Sequence, residues 1–178
     1  MVIPDLSKGY MTDTGHIDPW WTTEHRSLAY YREPFNNTED VNRWREMGYS
    51  HEHFTGEMYD MKNPEPHWMQ LDKFKQCFNF EHLSWSFYRM QTGVILPEHV
   101  DTFARFKKIH DTTNRVIVRA LVMMEDWQPG HYLDLAGKPY VGWKAGDWSL
   151  WTETAPHTAA NIGTAPRYTL QLTGLVKL

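Results

Sequence analysis

The sequence predicts a mainly β fold, a sandwich or jelly roll buttressed by an N-terminal helical layer. Three observations carry this. From residue 84 onward, apolar and β-branched runs recur between tight turns. The two stretches with helical spacing both lie earlier in the chain. The 178 residues are 41% apolar with nine tryptophans, enough for a packed interior yet short enough for one core. One domain over residues 1–178 is therefore expected, with 1–84 as helical and irregular support and specificity region and 85–178 as the β core.

In chain order, the first helix is expected in "NTEDVNRWREMG". Thr38 can cap it, Glu39 and Asp40 suit the positive end of the helix dipole, and Gly48 can close it. A second, "HWMQLDKFKQCF", spaces Trp68, Leu71, Phe74, Lys75 and Phe78 so that one face is largely apolar. The segment between them, "YSHEHFTGEMYDMKNPEP", reads as loop. "WSFYRMQTGVIL" then offers a strand interrupted at Gly93, where a bulge or bend is expected. In "RVIVRALVMM", alternation puts Arg115, Ile117, Arg119, Leu121 and Met123 on one side. "HYLDLAGKPYVGW" reads as a hairpin turning at Ala136–Gly137–Lys138, and "DWSLWTE" and "RYTLQLTGLVKL" supply two more strands.

Composition narrows the partners. A formal charge of −4 provides no general attraction to phosphate backbones or anionic lipid, so neither nucleic acid nor membrane is expected. No run approaches membrane-spanning length. Cys77 stands alone, which excludes an intrachain disulfide and a thiolate zinc cluster. A soluble, cytoplasmic, reducing setting is the expectation, and the glycosylation pattern at Asn36–Thr38 carries little weight there.

The chemistry concentrates in "LPEHVDTF". Residues two apart on an extended backbone project to the same side, so His99 and Asp101 can aim an imidazole and a carboxylate at one point. Alone, the pair could equally be a solvated strand end. Downstream, "KAGDWSLWTETAPHTAANIGTAPRYTLQL" places His157 far enough away for antiparallel strands to return it beside the pair. Two imidazoles and one carboxylate on one face of an octahedral ion leave three positions open, an arrangement associated with oxygen-activating Fe(II). A tetrahedral zinc site could use the same set.

"LPEHVDTF … APHTAANIGTAPRYTLQL" resembles the signature of the Fe(II)- and 2-oxoglutarate-dependent dioxygenases, whose fold is a double-stranded β-helix, a cupin-like jelly roll. The likeness spans about residues 85 to 175. In motif it is closest to aspartyl/asparaginyl β-hydroxylase-like or prolyl-hydroxylase-like members, with "TNRVIVRAL" similar to the former branch. Arg167-Tyr168-Thr169 resembles the family's Arg-x-Ser element, with threonine in place of serine. The resemblance implies that His99, Asp101 and His157 hold Fe(II), that 2-oxoglutarate chelates it, and that O2 takes the remaining position. It implies that Arg167, with the Thr169 hydroxyl, anchors the far carboxylate of the cosubstrate. The product side would be succinate and a hydroxylated C–H, on a peptide or protein side chain (Asp/Asn or Pro) or a small molecule.

Other residues have two uses each. Arg119, among aliphatics, needs an anionic partner and is a second candidate for a carboxylate of cosubstrate or substrate. Asn161 could donate to the cosubstrate or fix its turn. Tyr132 could offer a phenol or simply pack. Trp148 and Trp151 could line the pocket or belong to the core. His51-Glu52-His53 repeats the claw spacing without an obvious third ligand beyond His67 and reads as solvated or substrate-facing. "TFARFKKIHD", with Arg105, Lys107, Lys108 and His110, is a basic loop placed to form a lid or choose a substrate. The rival functions are a jelly-roll binding protein without redox turnover and a cupin-like zinc enzyme.

Overall fold

The computed structural model describes residues 9–35 and 37–177; Asn36, the glycosylation candidate, lies outside them. Two antiparallel sheets face each other. The chain runs through β1 (Thr12–His16), a short helical turn (Glu24–Ser27), β2 (Tyr31–Pro34), α1 (Thr38–Glu46), β3 (Thr55–Asp60) and α2 (Leu71–Cys77). It continues through β4 (Leu83–Met90), β5 (Ile95–His99), α3 (Ala104–Ile109), β6 (Arg115–Met123), β7 (His131–Leu135) and β8 (Lys138–Tyr140). β9 (Asp147–Thr152), β10 (His157–Asn161) and β11 (Arg167–Lys177) complete it. The large sheet has the order β1-β9-β6-β11-β4-β3-β2 and the small one β5-β10-β7-β8. This is the jelly roll expected from the strand pattern.

The large sheet is buried on both faces at its centre. Val118, Ala120 and Val122 of β6, with Leu170 and Leu172 of β11, pack outward under Trp21, Met69, Phe74 and Phe80 from the N-terminal region. The opposite side of β6 carries Leu121 and Met123 into the space between the sheets, where they meet Leu96, Leu133 and Ala159 of the small sheet. Burial on both faces explains why β6 reads as a largely apolar run, broken by Arg119. α2 supports the outer face, whereas α1 flanks the inner one through Trp44, which is fully buried beside Phe54.

Several local expectations are corrected. The helix cap of α1 is Asn37, one residue before Thr38: its side-chain oxygen accepts from the Glu39 amide at 3.2 Å. α2 is shorter than its pattern, beginning at Leu71 after a turn. The supposed loop between the helices contains β3, which pairs with β4 and β2. Gly56 in β3 lets Tyr88 cross closely, since a Cβ there would lie 1.9 Å from the phenol oxygen. Gly93 is not a bulge within one strand. With φ +86°, it sits in the turn that passes the chain from β4 in the large sheet to β5 in the small one. The hairpin turn is as expected, with Ala136 and Gly137 both at positive φ. The basic segment forms the short helix α3, held by Phe103 and Phe106 against Ile117 and Leu175.

Candidate metal centre

Antiparallel pairing of β5 with β10 places His99 and His157 directly opposite each other. Their ring centroids are 4.2 Å apart. Asp101 follows two residues after His99, and His157 Nε2 lies 3.8 Å from Asp101 Oδ2. One ligand atom from each of the three falls within 4.8 Å of the others. The sheet register therefore assembles the set that the sequence spacing only permitted.

The imidazoles are oriented for coordination. His99 Nδ1 donates to the Pro97 carbonyl at 2.8 Å and His157 Nδ1 to the Ala155 carbonyl at 3.0 Å. A carbonyl can only accept, so each Nδ1 carries the proton and each Nε2 keeps its lone pair. Burial drives the His99 pKa down to about 4 and lowers that of His157, the partial restoring influence of Asp101 being weaker. Both rings are neutral at pH 7, the form a metal needs. For Asp101, burial pushes upward, but Arg119, the two histidines and the Trp151 N–H outweigh it and hold the carboxyl below its usual range. Two neutral nitrogens and one anionic oxygen, all buried and convergent, fit a divalent iron ion; the same donors also suit zinc.

Arg119 and Trp151 close around the carboxylate. Arg119 Nη1 donates to Asp101 Oδ1 at 2.9 Å, and Trp151 Nε1 donates to Oδ2 at 2.9 Å. The anionic partner that Arg119 requires is thus Asp101. Trp148, by contrast, packs on Phe78 on the outer side of the sheet. Of the two tryptophans open to pocket or core, Trp151 lines the cavity and Trp148 packs in the outer core; strand register decides which one points inward.

Arg167 opens β11 and is 4% exposed. Its Nη1 donates to the Tyr132 carbonyl at 2.7 Å, while its Nε has no partner. Among the described residues no carboxylate pairs with it. Burial brings its pKa down to about 10, so it remains a cation at neutral pH in a place hostile to charge. Thr169, 2% exposed, stands on the same side of β11. Arg167, Thr169, His99, Asp101 and His157 all line one cavity of about 550 Å³.

The remaining candidates sit elsewhere. The Tyr132 phenol turns away to Asp134 at 3.3 Å, and only the main chain of Tyr132 meets Arg167. Asn161 is fully buried and spends its amide on the turn, donating to Met90 and Ala165 carbonyls and accepting from the Gly163 amide. His51, Glu52 and His53 are exposed, and the two rings bond locally to Thr55 and Ser50. Arg105, Ile109 and His110 of the α3 region reach the mouth of the cavity.

Fold and site together define a jelly roll with a buried two-histidine, one-carboxylate cluster facing an unpaired arginine. No protein-family model matches the chain, and no curated protein matches its sequence. Among solved structures, it is similar to a Pseudomonas putida prolyl-4-hydroxylase at 16% identity and a TM-score of 0.54, over 98% of this chain and 96% of that one. A salicylate 1,2-dioxygenase from Pseudaminobacter salicylatoxidans aligns at 12% identity and a TM-score of 0.36, over 52% of this chain. The aligned part is 21% of that larger enzyme. The first likeness, running through nearly the whole length of both chains, is one of fold.

Proposed function

We propose that the protein is an Fe(II)- and 2-oxoglutarate-dependent oxygenase that hydroxylates an unactivated C–H of a peptide side chain or a small molecule. The observation that carries this reading is Arg167. A guanidinium buried without an acidic partner is costly unless an anion arrives to meet it, and this one shares its cavity with the His99, Asp101 and His157 cluster. A dicarboxylate cosubstrate reaching from metal to arginine answers both features.

Iron bound there would supply oxygen activation with 2-oxoglutarate as reductant, so that substrate C–H, O2 and 2-oxoglutarate become C–OH, succinate and CO2. The chain's own tasks are binding, orientation and exclusion of water. His99 and His157 offer Nε2 lone pairs fixed by their carbonyl bonds, and Asp101 supplies the anion. Arg167 holds the distal carboxylate, assisted by the Thr169 hydroxyl. Leu121, Leu133 and Ala159 keep the surroundings apolar. Substrate enters past α3, where Arg105 and His110, the residue that follows the helix, help select it. The full-length structural likeness to a prolyl hydroxylase supports a peptide as the first substrate to try, with free metabolites as the second.

The test is succinate formation against a library of peptides and metabolites with Fe(II), 2-oxoglutarate and O2, using His157→Ala as control. Anaerobic Fe(II) with 2-oxoglutarate should also develop a weak visible charge-transfer band. A zinc enzyme or a simple binder would show neither, and absence of both overturns the proposal.

A further inference from the structure

We infer that Arg119 and Trp151 are positioning residues that hold Asp101 as a one-oxygen metal ligand and set metal affinity in opposite directions, Trp151 raising it and Arg119 lowering it. The inference rests on reading His99, Asp101 and His157 as metal ligands, and it adds what the large sheet contributes to a site whose ligands come from the small sheet.

The geometry follows from register. In the large sheet Arg119 of β6 lies opposite Trp151 of β9 on one side and Thr173 of β11 on the other. This cross-strand row faces Asp101, which leaves the end of β5. A carboxylate has about four acceptor sites, two on each oxygen. One site on Oδ1 is filled by Arg119 and one on Oδ2 by Trp151. Each oxygen keeps one free acceptor site, and the two donors on opposite oxygens fix how the carboxylate is turned toward the histidines. Coordination through one oxygen keeps both bonds, and Oδ2, facing His157 Nε2 at 3.8 Å, is the oxygen on the ligand side. With two imidazoles and one oxygen engaged, three octahedral positions stay free.

The two clamps differ in charge. Trp151 is neutral, 2% exposed, and its ring lies 4.7 Å from that of His157. A single indole therefore bonds one ligand and packs against a second, and its loss costs alignment without any electrostatic gain. Arg119 is a fixed cation. Its other nitrogens reach the Thr173 hydroxyl at 3.3 and 3.4 Å, and its guanidinium lies over the Phe103 ring at 5.1 Å. Held from three sides, it cannot retreat when a divalent ion arrives, so it repels that ion and competes with it for Asp101. In the metal-free protein the same charge neutralises a buried carboxylate and keeps the site formed. Arg119 thus exchanges metal affinity for a preassembled site.

Anaerobic titration with Co(II), followed by its visible absorption, tests this without cosubstrate or oxygen. Trp151→Phe should weaken Co(II) binding about tenfold, as loss of an outer hydrogen bond to a metal ligand does. Arg119→Met should tighten it about tenfold by removing the repulsion, while the metal-free variant melts below wild type and recovers with excess Co(II). Arg119→Lys, which keeps the charge, should stay with the wild type. Residues that merely support the fold would weaken binding together, so parallel weakening by Arg119→Met and Trp151→Phe overturns the inference, as does no change in either. Should Trp151→Phe fail to fold, the sign of the Arg119→Met effect decides alone. A wild-type chain that binds no Co(II) removes the metal reading itself, whereas failure of the clamp leaves the proposed oxygenase standing.

Discussion

Replacing Arg167 with methionine should make the protein more stable and, on the proposed function, less able to bind 2-oxoglutarate. Burial brings the guanidinium down to about 10 from its ordinary value. At about 1.4 kcal/mol per pKa unit, keeping it charged costs the fold on the order of 3 kcal/mol. Against this stands one hydrogen bond to the Tyr132 carbonyl at 2.7 Å, worth about 1.5 kcal/mol because the donor is charged. Methionine fills most of the volume and needs no partner. The net expectation is a gain of about 1–2 kcal/mol in the ligand-free protein, which for a chain of this size raises the melting temperature by roughly 3–6 °C. Binding of 2-oxoglutarate, measured calorimetrically with Mn(II) in place of iron, should fall about a hundredfold, since a charge-assisted pair is lost. A methionine variant that melts below wild type and binds 2-oxoglutarate equally well would refute the argument. It would mean that the arginine is held for packing and not for an anion.

Three further outcomes are expected. His157→Ala should abolish stoichiometric retention of Fe(II) or Co(II) by metal analysis, because Asp101 and His99 alone form only a two-toothed site. At Glu125, burial pushes the carboxyl pKa upward, but hydrogen bonds from His25 and Arg26 dominate and hold it down at about 2. A depressed carboxyl stabilises the fold above its unfolded value and loses that contribution as pH falls through the folded one. Melts of wild type should therefore decline between about pH 4.5 and 2, and Glu125→Gln should be less stable by about 1–3 kcal/mol at pH 7 with a shallower acid dependence. Gly56→Ala should destabilise by roughly 1–3 kcal/mol through its collision with Tyr88. Denaturant titration should find this penalty much reduced in a Tyr88→Ala background, and an undiminished penalty would place the clash elsewhere.

The strands easiest to read were those whose neighbours impose a simple pattern. β6 and β11 sit at the centre of the large sheet, so β6 shows as an apolar run broken by Arg119, and β11 as leucines alternating with threonine and glutamine. The β7–β8 hairpin announced itself through Ala136–Gly137. β1, β2 and β3 went unmarked because "TDTGH", "YREP" and "TGEMYD" lack that alternation; β1 and β2 lie at the sheet edges, and all three are strands through the partners they meet. β10, "HTAAN", was hidden for a related reason, since two of its five residues serve the site or its turn and the rest are small.

The sequence singled out His99, Asp101, His157 and Arg167 as candidates, through the likeness of their order and spacing to the dioxygenase motif and not through any one spacing alone. It could not decide which oxygen of Asp101 each donor would meet, nor that Arg119 answers Asp101 while Arg167 meets no carboxylate among the described residues. Those outcomes depend on cross-strand register between residues distant in sequence, where a shift of one position turns every side chain to the other face. Only the folded sheets settle that register.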